Sequence, residues 1–357
     1  MAVTARDVAI RASVSVSTVS RALARPDLVS DETRQRIEAV AQELNYHPNS
    51  VARSLSTGRT YHLGLVIPDL ENPFFASVAK GVQSYARQLG YSVFIADTDE
   101  NITMETELVH QLAPQVDGVL LCSPRCDSDQ ILPLATETPL VLLNRPIDSI
   151  DSVSFDNADG VRQAVRHLWA LGHRVVAYAG GPRASWSDQV RRQCFHSFVE
   201  DLDMEAVDLG YFQPVHYGGM AAADLALASG ATAILAYNDL VAIGLIQRLV
   251  MREVRVPHDI SVVGIDGITQ ASFFSPAITT VAGSLHQLAR TSVDALINPS
   301  MEPAERLLPV DLIVRASTAE PPPESGVAPA RSRVIHQSSQ DATEKEEQCG
   351  SSIAQES

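Results

Sequence analysis

The chain has 357 residues, which suits two or three domains, and 45% of them are hydrophobic, enough to bury real cores. No segment approaches the ~18 apolar residues of a membrane span and no signal pattern opens the chain, so a membrane partner is excluded and the cytoplasm is expected. The net charge of −16 is segregated: residues 1–60 hold eight arginines against six acidic residues, a surplus of +2, and the remainder carries −18. An acidic body avoids non-specific contact with phosphates, while a small basic head can still touch them locally.

Thr4 to Ala12 reads as a short helix, with Thr4 and Asp7 spaced as a capping box and Val8, Ala9 and Ala12 on one side. After a tight turn at Ser13, the run VSVSTVSRAL from Val14 to Leu23 forms a second helix opened by Ser15; Val19 and Leu23 share its buried face, and Val16, Ser17, Ser20 and Arg21 point outward. Such a pair is a helix-turn-helix, whose second helix enters the major groove. Arg25, Pro26 and Asp27 form a loop, and Ser30 caps a third helix, Asp31 to Leu44, with Ile37, Val40, Ala41 and Leu44 in one stripe. Arg34 and Arg36 are free to face phosphates. Pro48 stops that helix, Asn49 can cap another, and Ser50 to Leu55 is one marginal turn ending before Gly58. A linker helix carrying Arg53 and Leu55 suits a segment that folds against DNA, where an apolar wedge enters a minor-groove step.

These residues, VSVSTVSRAL followed by VSDETRQRIEAVAQELNYHPNSVARSL, resemble the head of the lac repressor / galactose repressor family of bacterial transcription regulators. The resemblance implies a helix-turn-helix head, a hinge helix that orders on operator DNA, and a two-lobed effector-binding core similar to periplasmic sugar-binding proteins. It puts Val16, Ser17 and Arg21 where the family reads operator bases and Leu55 where it inserts a leucine; the DNA-facing set is then Thr4, Ser15, Val16, Ser17, Thr18, Ser20, Arg21, Asn49, Ala52, Arg53 and Leu55. Many members carry glycine where this chain has Ser13, so a left-handed backbone is expected there.

From Tyr61 onward strand and helix alternate. Strands are expected at His62 to Ile67, Tyr91 to Ala96, Gly118 to Cys122 and Leu140 to Leu143, then again at Arg174 to Ala179, Ala233 to Tyr237 and Ser261 to Ile265. The pattern predicts two doubly wound parallel α/β lobes, with later strands near Ile278 to Ala282 and Leu307 to Val314 crossing between them. The expected division is a head at 1–47, a hinge at 48–60, a core at 61–318 and a disordered tail at 319–357, rich in Pro, Ser, Gln and Glu. That tail has no leucine heptads, so a homodimer is expected rather than a tetramer.

Open sheets bind ligands beyond the carboxyl ends of their strands. Polar residues there are Asp69 and Asn72 with Phe74 beside them, Asn144 and Arg145, Asp156 and Asn157, then Arg191, Asn238, Asp239 and Asp266. A polyhydroxylated ligand needs such bidentate groups and a flat aromatic for its apolar face. Asp156, Asn238 and Asp239 could equally cap the helices that follow them. The resemblance implies that Arg191 and Asp266 are the family's hydroxyl-binding pair, that Asn238 belongs to its AND-like motif and that Phe212 lies near a stacking aromatic. Relatives often carry glutamine where this chain has Gly283, which removes one polar anchor, unless the glycine is simply a turn.

Catalysis finds little support. Ser17 and Ser20 have no local base, the ten histidines show no metal spacing, and Cys122 and Cys126 stand without a second ligand pair, with Cys194 and Cys349 far off, so neither metal nor cofactor is expected. Asp69, Asp156 and Asp266 could supply two carboxylates to a sugar-active enzyme, but the fused head argues against it, and also against a transport-associated sugar receptor. The reading is a repressor of a roughly palindromic operator, its affinity controlled by a sugar-like effector in the cleft. A nucleobase, nucleoside or sugar phosphate is the second reading for the effector.

Overall fold

The computed structural model describes residues 3–24, 28–46 and 58–323. The expectations for the loop at Arg25, Pro26 and Asp27, for the hinge segment with Pro48, Asn49, Ala52, Arg53 and Leu55, and for the tail beyond residue 323 lie outside the described residues.

The head contains the helices Ala5–Arg11, Val16–Ala24 and Asp31–Glu43. Val8, Ala9, Ala12, Val19, Ala22, Ile37 and Ala41 close its core. Leu23 only packs at the edge of that core, because Ala22 takes the inward position beside Val19. The Asp7 carboxylate accepts the Thr4 N–H at 2.8 Å and the Thr4 hydroxyl at 2.7 Å, the returning arm of a capping box. Ser13 stands at φ 54, in the left-handed region that the tight turn demands. Arg34, expected to be free, is paired with Asp31 at 3.0 Å, one helical turn away, whereas Arg36 is exposed.

The core builds two six-stranded sheets. The N-terminal lobe holds β1 (His62–Ile67), β2 (Ser92–Asp97), β3 (Val119–Cys122), β4 (Leu140–Leu143), β5 (Asp151–Phe155) and β11 (Glu305–Leu308), in the order β11-β5-β4-β3-β1-β2 and all parallel. The C-terminal lobe holds β6 (Val175–Gly180), β7 (Glu205–Tyr211), β8 (Ala233–Ala236), β9 (Ser261–Ile265), β10 (Thr279–Gly283) and β12 (Val310–Ile313), in the order β12-β10-β9-β8-β6-β7, with β12 antiparallel to β10. Strands β3, β4, β8 and β9 are buried at every position, since helices cover both faces of a parallel sheet.

The chain passes between lobes at three places: from β5 into the helix Asn157–Ala170, from β10 into the helix Leu285–Ile297, and from β11 to β12. Leu307 to Val314 is therefore not one strand. Pro309, which has no N–H for a ladder, separates two strands that belong to different sheets. The fold also runs past residue 318, where the tail was expected to begin. Ala319 donates its N–H to Ser261 at 3.0 Å and accepts from His173 Nε2 at 2.9 Å. Among the described residues, no helix is long and apolar enough to cross a membrane.

Candidate DNA-binding face and interlobe site

On the head, the Ser15 hydroxyl accepts the Thr18 N–H at 3.1 Å and lies 2.8 Å from the Thr18 hydroxyl and 2.7 Å from that of Ser17. Ser15 and Thr18 are thus engaged in starting the second helix. With Val19 and Ala22 turned inward, Val16, Ser17, Ser20 and Arg21 form the exposed face. Val16 is 46% exposed. An outward aliphatic side chain beside hydroxyls and a guanidinium offers contact for a thymine methyl and donors for base edges. Arg21 Nε donates to the Ser17 carbonyl at 3.2 Å, which sets its stem along that face, and Thr4 stands exposed at the start of the first helix.

In the core, the helix Trp186–Asp201 carries Arg191 into the space between lobes. Ser185 caps this helix by accepting the Asp188 N–H at 3.2 Å, and the buried Asp188 accepts the Tyr178 hydroxyl at 2.9 Å and the Gly181 N–H at 2.6 Å. Gly181 is required there because a Cβ would stand 2.6 Å from the Tyr237 ring. That ring lies 5.1 Å beneath the Arg191 guanidinium. Arg191 donates to Asn157 Oδ1 at 2.7 Å and to the Tyr237 carbonyl at 2.6 Å, and its Nη2 stands 3.9 Å from Asp266.

Around this guanidinium the structure gathers Asn72, Phe74, Asn144 and Asn157 from the ends of N-terminal-lobe strands with Asn238 and Asp266 from the C-terminal lobe. Asp156 lines a neighbouring recess with Phe74, Arg191, Asp266 and Gly283. The space left inside the main cluster is ≈ 30 Å³, room for about two water molecules. Burial pushes the Asp266 carboxyl up to about 7, with Arg191 pulling the other way. Behind it, burial and the Asp266 charge push Asp239 up to about 8, although Thr280 Oγ1 and the Ile268 N–H donate to it at 2.6 and 2.9 Å.

Several expected ligand groups also hold the fold. Asn72 accepts the Phe74 N–H at 3.0 Å, Asp156 accepts the Asp159 N–H at 2.8 Å, and Asn238 accepts the Val241 N–H at 2.9 Å while donating to the Pro214 carbonyl at 3.0 Å. Each of these caps a helix. Arg145 turns from the cleft to the Pro124 and Cys126 carbonyls, at 3.0 and 2.5 Å. Asp69 and Phe212 do not join the Arg191 cluster; they line a second, outer cavity between the lobes. Gly283 is not a turn but the last residue of β10, and a Cβ on it would stand 2.2 Å from Phe155 Cε1.

Residues 60–316 match the family described as periplasmic binding proteins and sugar binding domain of LacI family, and residues 4–49 match the bacterial regulatory proteins of the lacI family. The chain belongs to the LacI family. The ribose operon repressor of Halalkalibacterium halodurans is 33% identical to this LacI-family chain over 325 residues, 88% of this chain and 97% of that one. The transcriptional repressor CytR of Escherichia coli is 30% identical over 330 residues, 89% and 96% of the two chains. Among solved structures, the lac repressor dimer bound to operator and the anti-inducer ONPF matches with a TM-score of 0.80 and 30% identity, covering 89% of this chain and 100% of that one. The protein is a DNA-binding transcriptional repressor of this family rather than an enzyme, and the carboxylate-pair reading of Asp69, Asp156 and Asp266 is set aside.

Sequence reasoning overlooked Ser123 and Arg125 at the end of β3, Ser187, Phe155 and Tyr237, all of which line the Arg191 cluster. Arg125 is buried and held by Glu100 through two contacts of 3.1 Å. The run SPRCD follows β3 directly, so the strand-end rule that found Asn72 and Asp266 would have found it as well.

Proposed function

We propose that this LacI-family repressor acts as a homodimer on a roughly palindromic operator, and that a sugar-like effector held at Arg191, Asp266, Asn72, Asn144 and Asn157 sets its affinity for DNA. The observation that carries the reading is the convergence around Arg191 of carboxamides from one lobe and a carboxylate from the other, over the face of Tyr237 and beside Phe74. Such a set offers paired donors and acceptors to vicinal hydroxyls and flat faces to a ring. The ribose operon repressor among the relatives and the LacI regulator of Enterococcus faecium solved with bound ribose, 26% identical with a TM-score of 0.65, support the sugar class.

A sugar ring does not fit into ≈ 30 Å³, so its entry requires the lobes to part. Because the described chain crosses between the lobes next to Phe155, Gly283 and Val310, the ligand works against the angle between them. In the proposed mechanism each subunit places Val16, Ser17, Ser20 and Arg21 in a major groove, with Thr4, Ser15 and Thr18 at the helix starts facing the backbone. The hinge segment with Asn49, Ala52, Arg53 and Leu55 occupies the central minor groove. Effector binding shifts operator affinity by a coupling energy of ~1–3 kcal/mol and relieves repression.

The test is a thermal-shift panel of pentoses, hexoses, disaccharides, sugar phosphates, nucleobases and nucleosides, followed by operator binding with each hit. A ligand at a hundred times its Kd stabilises by about 2.7 kcal/mol, a rise of several degrees. A sugar hit lost in Arg191→Ala and Arg191→Lys upholds the reading. A nucleoside as the sole hit overturns the sugar class but keeps the site.

A further inference from the structure

Outside the Arg191 cluster the lobes enclose a second cavity of ≈ 630 Å³, which meets the inner space at Pro214. Its size lies within the ~300–1,000 Å³ of small-molecule sites. Its two walls differ in chemistry. The N-terminal lobe presents carboxylates, Asp69 and Glu71 after β1 and Asp99 and Glu100 after β2. The C-terminal lobe presents Tyr211, Phe212 and Tyr217, with Arg183 beside them. Tyr211 is clamped, with the Arg183 and Arg192 guanidiniums 4.3 and 4.1 Å from its ring centre. Tyr217 is 65% exposed and, with Phe212, leaves an open aromatic platform opposite the carboxylates.

Carboxylates accept hydroxyl protons and repel anions, while an aromatic face covers the C–H side of a sugar ring. We propose that this cavity is a second sugar subsite, so that the effector is a neutral carbohydrate of at least two rings, one at Arg191 and Asp266 and the next between Asp99 and Tyr217. The inference rests on the sugar reading of the inner cluster given above. It disfavours sugar phosphates, because a phosphate in this cavity would meet Asp69, Glu71 and Asp99 against one lining guanidinium, Arg183, the fourth carboxylate, Glu100, being held by Arg125.

The experiment is calorimetric titration of the full chain with glucose, galactose and ribose, with maltose, cellobiose and lactose, and with glucose 6-phosphate. One disaccharide is expected to bind about tenfold more tightly than either of its rings alone, the gain of one well-stacked, hydrogen-bonded ring. Tyr217→Ala, at a side chain outside the core, and Asp99→Asn should each shrink that gap at least about fivefold while leaving the monosaccharide Kd unchanged. A monosaccharide that matches the best disaccharide, a gap untouched by Tyr217→Ala, or a tighter sugar phosphate overturns the outer subsite and leaves the inner site standing. Failure of every sugar overturns the inner reading itself.

Discussion

Gly283→Ala is the substitution with the most specific expected consequence. The new Cβ would lie 2.2, 2.4 and 2.9 Å from three atoms of the Phe155 ring, so the ring must withdraw by more than about 1 Å to regain ordinary contact. It cannot withdraw freely, because Phe155 ends β5 at one interlobe crossover, Gly283 ends β10 at another, and the ring packs against the cores of both lobes. The open direction is toward the Arg191 cluster, where only ≈ 30 Å³ is free. Overpacking of this kind costs about 1–3 kcal/mol, and for a domain of this size that lowers Tm by about 3–10 °C. The displaced ring should also weaken effector binding at least about tenfold, since it narrows the space beside Arg191 and Asp266. Melting curves and titrations of Gly283→Ala, Phe155→Leu and the double variant check this. The double variant should recover more than half of the lost stability, because the smaller side chain removes the overlap. A single variant that melts and binds like the parent, or a pair whose effects simply add, would refute the fixed ring position.

Three further outcomes are expected. Asp239→Asn should change the pH dependence of stability: unfolded Asp239 loses its proton near 4, while the folded group keeps its proton up to about 8, so the parent's advantage over the variant is fully present at acid pH and is lost as pH rises toward 8. The slope is on the order of 1 kcal/mol per pH unit between pH 5 and 7.5, read by urea unfolding at several pH values, and parallel curves would show that the carboxyl is ionised throughout. Asn238→Ala should cost about 1–2 kcal/mol, because it removes both the cap on the helix Asp239–Met251 and the tether to Pro214, and it should move effector Kd less than about threefold once stability is accounted for. A large loss of affinity with unchanged Tm would make Asn238 a ligand group instead of a cap. Arg21→Ala should weaken operator binding and relax base preference together by about 1–3 kcal/mol, measured by anisotropy on operator and random duplexes, and equal weakening on both would limit Arg21 to phosphate contact.

The alternation of strand and helix was readable because central parallel strands are buried on both faces, which turns HLGLVI, VLLC, LVLL, AILA and SVVGI into uninterrupted apolar runs. Strands β5 and β7 gave no such signal. DSVSF places two serines among its apolar residues, and EAVDLGY lies at a sheet edge where three of its seven positions are exposed and one is buried. The strand-end rule gathered Asn72, Asn144 and Asp266 because it depends on topology alone. Residues whose role depends on contact between lobes escaped it: Ser187 reaches the Asn144 carbonyl across the cleft at 3.3 Å, and Gly283 has meaning only beside Phe155. Read by itself, Gly283 signifies a lost polar side chain, whereas in the folded chain it is the space that an aromatic ring fills.

The placement of that ring bears on how a ligand can act at a distance. Phe155, Asp156 and Asn157 form the first crossover, Gly283 ends at the second and Val310 begins after the third, and all five line the spaces next to Arg191. A molecule seated there touches the hinge strands themselves, so its contacts differ between open and closed lobes, which is the condition for shifting a conformational equilibrium. The chain enters the core on the N-terminal lobe, where the Asp117 carboxylate accepts the Thr60 N–H at 2.5 Å, the Thr60 hydroxyl at 2.8 Å and the Tyr61 N–H at 3.1 Å. Three donors on one carboxylate fasten the end of the linker to a single lobe. Rotation of the other lobe reaches this anchorage through the N-terminal lobe, and the crossover residues are where substitutions should uncouple effector binding from DNA binding.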